Sequence, residues 1–513
     1  MRSARPMPSR LRRLGRELFT QWPWAVPVVV AAFVYHSQGA YLQRAIAALV
    51  AVIIVLVASR RPDRSLLVLI ALLPVQALLL AQLYTWGLPA QIVRPLAGWK
   101  EALGIGVVIA GVRGFAAAQR RLDRLDKGAL AYVAVVAIYA VVPRLFAAGA
   151  PTSSSVRSLG FRESAGFVLL LLAARHADLP DDFMRRATNV VLAVGAAVAA
   201  IGIYEYVAPG SWNNFVVDHV RYLQYQVQIL HSVPSSLTDI RRYGYVGGHK
   251  FLRTGSVFLD PTPAGFFMVL PFAIAVERRL HAHTSRAGTA LLALFSVALV
   301  LTQTRAALVA ALVVCVLAAR PAAGRTTNRR LQFAFVFAAG LVLLVPAAAA
   351  SGLSQRVTTT GSVQDQSSSD HVRSFWDGVH AVADRPIGYG LGTSAGIGQR
   401  FSKGTVTVPE NQYLEVGIET GVLAMALFIG LTVMMLRRLA WASRRVVDIG
   451  VTATRSAGVG LAIGACLLPA YNEFAVSWAF WALAGAAIGS ASRAQGRKLA
   501  PAATSATIPV SVG

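Results

Sequence analysis

Long apolar runs separated by short polar turns occupy most of the chain, and only a few stretches interrupt them. A helix needs about 20 residues to cross a bilayer core. On that length criterion about fourteen spans are predicted, near 23–39, 41–58, 66–84, 99–116, 128–147, 160–174, 187–208, 262–277, 287–302, 306–319, 331–350, 411–436, 452–469 and 474–490. A closed barrel would instead show segments of about 10 residues with alternating polarity, and the sequence has no such pattern. The expected fold is therefore an all-α polytopic membrane protein with about 14 transmembrane helices, and with a large extracytoplasmic loop carrying short helices between spans 11 and 12.

The interruptions divide the chain. Residues 1–22 form a basic arm, 23–208 an N-terminal transmembrane bundle, 209–261 a first long loop, and 262–350 further spans broken by an arginine-bearing turn. Residues 351–410 form the largest polar loop, 411–490 the last spans, and 491–513 a tail of disordered composition. Within the large loop, Asp370 to Asp384 reads as an amphipathic helix capped by Asp370, with Val372, Phe375, Trp376, Val379 and Val382 at spacings of three and four. Pro386 to Ser394 follows as a glycine-rich turn. The loop then closes in PENQYLEVGIETGVLA, where Glu410, Glu415 and Glu419 enter the next apolar run. A carboxylate entering a bilayer is costly unless it is paired or protonated, so at least one of the three is expected to meet an arginine or to act as a base.

Composition agrees with a membrane protein: 55% of the residues are hydrophobic and 14% charged. The net charge of +26 admits a nucleic-acid reading until its distribution is read. With the N-terminus inside, the inner segments hold 31 of the 49 Lys and Arg residues, although the two longest loops lie outside. That bias is the positive-inside signature. It makes the charge a topology signal, excludes nucleic acid as the expected partner, and puts both termini in the cytoplasm and both long loops on the other face. Cys315 and Cys466 fall in apolar runs with no metal-ligand spacing. No metal site or cofactor is expected, and the only general partner implied is membrane lipid.

Four polar groups stand out against this background. Arg253 and Ser256 precede the span that opens at Pro261, where Asp260 reads as a helix cap. Arg305 follows Thr302, Gln303 and Thr304 in the turn between two short spans; a guanidinium there either anchors the helix at the headgroups or grips phosphate, and its planar fork can hold two phosphate oxygens at once. Arg373 lies on the amphipathic helix of the large loop, on the side opposite the apolar stripe, whereas His371 and His380 read as solvated or structural. Glu410, Asn411 and Tyr413 stand at the entry to the span that closes the loop.

In this order, these pieces resemble the O-antigen ligase and polymerase family over roughly residues 250–430. The resemblance rests on Arg253-Thr254-Gly255-Ser256-Val257-Phe258-Leu259-Asp260-Pro261, on Thr304-Arg305-Ala306-Ala307-Leu308-Val309-Ala310, on Arg373, Trp376, Pro386, Gly388, Gly390 and Gly392, and on Glu410-Asn411-Gln412-Tyr413-Leu414 with Glu419 and Gly421. It implies an inverting, metal-independent transfer of a glycan from a polyprenyl-diphosphate carrier to a hydroxyl of a glycan or lipid-linked glycan acceptor, outside the bacterial cytoplasmic membrane. Catalysis would fall to Glu410 as base and to Arg305. Arg253, Arg373, Asn411, Ser256, Gln303 and Tyr413 would bind substrate, the large loop lying as a lid over Arg253 and Arg305. Ligases carry histidine where this chain has Glu410, which leaves ligase and polymerase both open. Two further classes compete: a transporter or flippase of a lipid-linked glycan or small anion, and a structural assembly factor. A transporter would gather its polar groups near the bilayer midplane; here they gather at span ends, with Glu205 the nearest exception.

Overall fold

The computed structural model describes residues 40–119, 121–142, 153–230, 236, 238–246, 249–281, 286–319, 366–394, 396–398 and 408–499. The basic arm, the spans expected at 23–39 and 331–350, and the end of the tail lie outside the described residues. What is described is nearly all helical. The principal helices are α1 (Ala40–Arg60), α2 (Pro62–Leu72), α3 (Gln76–Thr85), α4 (Trp99–Ala117), α5 (Arg124–Val141), α6 (Ser154–His176), α7 (Phe183–Val207), α8 (Tyr222–Gln228), α9 (Pro261–His281), α10 (Arg286–Thr302), α11 (Arg305–Ala319), α12 (Gln366–Asp384), α13 (Gln412–Arg445), α14 (Ile449–Gly464) and α15 (Phe474–Leu499).

Helices occupy every expected span that falls on described residues, but the count of fourteen crossings is not confirmed. Among the described residues, four helical stretches are both long and apolar enough to cross a membrane: Ala90–Ala117, Phe183–Val207, Gln412–Arg445 and Phe474–Gln495. The run expected at 66–84 is cut at Pro74, and α2 and α3 meet there at 76°, as befits a residue that removes a helical donor and clashes with the preceding turn. A bent pair of this kind is one broken span or a re-entrant loop. The helices Arg286–Thr302 and Arg305–Ala319 are apolar but shorter, because the run containing them is divided at Gln303 and Thr304.

Lipid tails are as apolar as leucine, so helices in a bilayer associate through close packing rather than through burial from water, and small residues four apart let backbones approach. Two such pairs organise this bundle. Gly485 and Gly489 set α15 against the backbone of α6 at Leu171 and Arg175, where a Cβ on either glycine would collide with a carbonyl oxygen. Gly460 and Gly464 set α14 against α11 and α9; a Cβ on Gly460 would stand 2.5 Å from the Ala310 carbonyl oxygen, and one on Gly464 2.7 Å from the Phe266 ring. Around α15, Trp481 packs on Phe167 with ring centroids 4.9 Å apart and stacks on Phe428 at 6.0 Å. Each such aromatic pair contributes about 0.5–1.5 kcal/mol beyond simple burial.

At one end of the bundle three of the basic turns meet. Asp123 caps α5 by accepting from the backbone N–H groups of Leu125 and Asp126, at 2.9 and 3.0 Å. Arg175 from α6 donates to Asp126 at 2.7 Å, and Arg438 from α13 donates to Asp123 at 2.8 Å. Burial pushes the Asp123 carboxyl up, but hydrogen bonds from Arg175 and the Asp126 backbone, with the charges of Arg175 and Arg438, hold it well below the usual carboxylate range.

The first long loop contains a feature the all-α expectation missed, an antiparallel hairpin of β1 (Arg242–Val246) and β2 (His249–Arg253) in which Arg242 pairs with Arg253 and Tyr243 with Leu252. Its sequence signal is a Gly-Gly pair flanked by Tyr and Phe at alternating positions. The same loop carries α8, with Tyr222, Leu223 and Tyr225 buried.

Candidate functional site

The hairpin delivers Arg253 to the break between α10 and α11. Thr254 N–H donates to the Leu301 carbonyl at 3.1 Å, and Gln303 Nε2 donates to the Leu252 carbonyl at 3.1 Å, so strand end and helix break are stitched together. Gln303 itself turns the chain with a φ of 50°. Arg253 donates from Nε to the Thr302 carbonyl at 3.3 Å and from Nη2 to Thr304 Oγ1 at 3.4 Å. Burial lowers the Arg253 pKa, Asp260 raises it and the nearby Arg305 charge lowers it again, with a net downward shift. Two guanidiniums close enough to feel each other, on a partly buried wall, form an arrangement that an anion relieves.

Ser256 sits behind this wall. Its hydroxyl donates to the Val198 carbonyl at 2.6 Å and its N–H to Glu205 Oε2 at 2.6 Å, both on α7. Glu205, the nearest exception to the gathering of polar groups at span ends, is thus the acceptor that fixes the turn before α9, and Ser256 anchors that turn while holding a φ of 51°.

The C-terminal end of α14 joins Arg305 to Glu410. Gly464 lies against Phe266 in the first turns of α9 and against Ala306 in the first turn of α11. One and two residues on, the Ala465 carbonyl accepts from Gln412 N–H at 2.9 Å and the Cys466 carbonyl accepts from Asn411 Nδ2 at 2.8 Å, at the start of α13. Three helix N-termini, those of α9, α11 and α13, therefore converge on one helix end. Arg305 and Glu410 share that end of the bundle, and each helix start adds partial positive charge.

Asn411 is the cap of α13, its side-chain oxygen accepting from Tyr413 N–H at 2.9 Å and from Leu414 N–H at 3.0 Å. Tyr413 donates its hydroxyl to the Ala462 carbonyl at 3.0 Å. Both are engaged in holding the helix start. The expectation that an acid here meets an arginine is answered differently for the two buried ones: Glu415 accepts from Asn472 Nδ2 at 3.0 and 2.9 Å, and Glu419 accepts from the Ser394 N–H and hydroxyl, each at 3.2 Å.

The amphipathic helix forms as α12, starting at Gln366 rather than at Asp370. Its packing stripe is not the apolar one read from the sequence. His371, Ser374, Gly378 and Val382 form the inner face. Ser374 Oγ donates to the Val408 carbonyl at 2.7 Å and accepts from Glu410 N–H at 3.1 Å, while Gly378 rests on Pro409 and Leu414. One turn before Ser374, Nδ1 of His371 pairs with the Glu410 carboxylate. Val372 and Trp376 are left outside, 60% and 54% exposed, and Arg373 is more exposed still, with Asp377 at 3.9 Å as its ion-pair partner. The pairing of His371 with Glu410 is not legible from the sequence: its signal is the spacing of three from Ser374, which is visible only once the partner segment 408–410 is known.

The glycine-rich turn docks on a break in α13. Gly421 has φ 79° and ψ 171° in the middle of that helix, which frees carbonyls on one side and an N–H on the other. Tyr389 N–H donates to the Ile418 carbonyl at 2.7 Å, Gly390 N–H to the Glu419 carbonyl at 2.9 Å, and Val422 N–H to the Pro386 carbonyl at 2.8 Å. Gly388 takes a φ of 81° so that its backbone lies on Gly421 with no side chain between them.

The comparison with curated proteins gives no match to this chain. Residues 290–429, a stretch that takes in Arg305, Arg373, Glu410 and Asn411 with the helices that carry them, match the family model described as O-antigen ligase.

Proposed function

We propose that the protein transfers a glycan from a polyprenyl-diphosphate carrier to an acceptor hydroxyl, with inversion, on the extracytoplasmic face of the cytoplasmic membrane. The observation that carries this reading is the placement of Arg253 against the Thr302–Thr304 break that presents Arg305, at the bundle end where three helices begin. The diphosphate oxygens sit between the two guanidiniums. Their charge and the helix N-termini stabilise the negative charge that grows as the carbon–oxygen bond to the diphosphate breaks, so that arginine takes the role a divalent cation would otherwise fill. The acceptor oxygen attacks the anomeric carbon from the opposite face and loses its proton to a base where the loop helix meets Glu410. Whether the acceptor is itself lipid-linked separates a polymerase from a ligase, and both use the same wall of charge.

Purified protein incubated with a polyprenyl-diphosphate oligosaccharide and a hydroxyl acceptor releases the lipid diphosphate and forms the longer glycan. Arg305→Ala lowers release by ~10²–10³-fold while the protein remains folded in membranes. Movement of the intact carrier across a vesicle without its cleavage would instead establish a transporter.

A further inference from the structure

We propose that His371 is the group that takes the acceptor proton and that Glu410 is its positioning residue, so that the base of this enzyme is a histidine supplied by the loop helix α12 rather than by the start of α13. This rests on the transfer reading above and deepens it by assigning the proton.

The geometry that points this way is a joint between two segments. Along the inner face of α12, His371 and Ser374 both grip residues 408–410: Ser374 holds the Val408 carbonyl and the Glu410 N–H, and His371 holds the Glu410 side chain. Because the backbone on either side of Glu410 is fixed by Ser374 and by the Asn411 cap, its carboxylate is a fixed acceptor. A carboxylate facing Nδ1 keeps the N–H on that nitrogen and leaves the lone pair on Nε2, which is how an imidazole is prepared to receive a proton. The two side chains are 37% and 34% exposed, so the pair is open to an incoming hydroxyl and yet held on both sides. Glu410 itself presents one oxygen to the ring.

In the step, the acceptor oxygen bonds to the anomeric carbon as the bond from that carbon to the diphosphate oxygen breaks. The diphosphate leaves with the electron pair, and the hydroxyl proton passes to His371 Nε2. The resulting imidazolium faces the Glu410 carboxylate, which stabilises it.

The test measures glycan transfer by the full-length protein in detergent or nanodiscs, from a polyprenyl-diphosphate oligosaccharide to a hydroxyl acceptor. Expected for His371→Ala is a fall in kcat of ~10²–10⁴-fold, typical of a lost general base, with the donor KM unchanged and with partial recovery on adding imidazole. His371→Gln, which keeps the size of the side chain, loses activity equally. Glu410→Gln, which offers Nδ1 a donor and so favours the wrong tautomer, lowers kcat less, and Glu410→Asp keeps part of the rate. The decisive comparison is Glu410→Gln in the His371→Ala background: it has no further effect if Glu410 acts only through the ring. A full additional loss there, or wild-type kcat in His371→Gln, overturns the assignment and returns the base to Glu410. Failure of the wild type itself to release lipid diphosphate overturns the transfer reading, and this one with it.

Discussion

Replacing Gly421 by alanine tests whether the loop and the span it closes on are held by the break in α13. At φ 79° and ψ 171° the residue lies in a region open essentially to glycine, and a Cβ there would stand 2.6 Å from the Pro386 carbonyl oxygen and 2.8 Å from the Ile387 carbonyl carbon. The chain has two responses. It keeps the break and bears ~1–3 kcal/mol of backbone strain plus the overlap with Pro386. Alternatively it closes the break into regular helix and gives up the three hydrogen bonds to Pro386, Tyr389 and Gly390, each worth ~0.5–1.5 kcal/mol. Both routes cost about 2–4 kcal/mol, and the second also lifts the glycine turn away from Glu419. The control is Gly430→Ala on the same helix, where a Cβ meets nothing within 4 Å and alanine is the better helix former by ~1 kcal/mol in water. In a thermal unfolding series on detergent-purified protein, Gly421→Ala melts clearly below wild type and Gly430→Ala at or above it. Equal melting of Gly421→Ala and wild type, with equal transfer rates, would refute the reasoning.

Other outcomes follow from the same contacts. Arg305→Lys keeps the charge but not the planar fork, so transfer falls toward that of Arg305→Ala, a loss of ~10²–10³ in kcat of the kind seen when one stabilising donor is removed; a lysine variant with wild-type kcat would reduce Arg305 to a point charge. Gly460→Leu forces α14 off the Ala310 backbone and lowers both thermal stability and transfer, because the same helix end carries the starts of α11 and α13; unchanged melting would remove that contact from the account. Asp123, whose folded carboxyl lies below its unfolded value of ~3.9, contributes stability that is fully present above that value and is lost as pH falls through the depressed folded one. Asp123→Asn therefore unfolds more easily at pH 7, by ~1–3 kcal/mol, with a deficit that shrinks as unfolding is measured at progressively lower pH below ~4; a deficit that stays constant there would exclude the ionised carboxylate as its source.

The parts of this architecture visible in the chain are those set by local patterning. Apolar runs located the helices, and the spacing of Phe375 and Val382 located α12, because helical period is written in neighbouring residues. The Arg253 and Arg305 wall was legible as two isolated guanidiniums at span ends, although their proximity is made by the β1–β2 hairpin, which apolar length alone does not reveal. The face on which α12 packs was not legible: it uses Ser374 and Gly378, a hydroxyl and a bare backbone, where an apolar stripe would ordinarily be sought. Nor was the pairing of His371 with Glu410, which depends on a partner segment nearly forty residues downstream. The capping contacts of Asn411 to Tyr413 and Leu414 lie within one helix turn, yet the polar residue alone did not announce them.

The break at Gly421 also bears on how the protein is made. A carbonyl freed inside a helix that enters hydrocarbon has no water to turn to, and each unsatisfied group costs several kcal/mol there. Its donors, Tyr389 and Gly390, precede α13 in the chain and so emerge from the ribosome first. The helix therefore meets its missing partners at the moment it is inserted, with no distant segment to wait for. Loop and span form a single unit of biogenesis, and a chimera that exchanges one must carry the other with it.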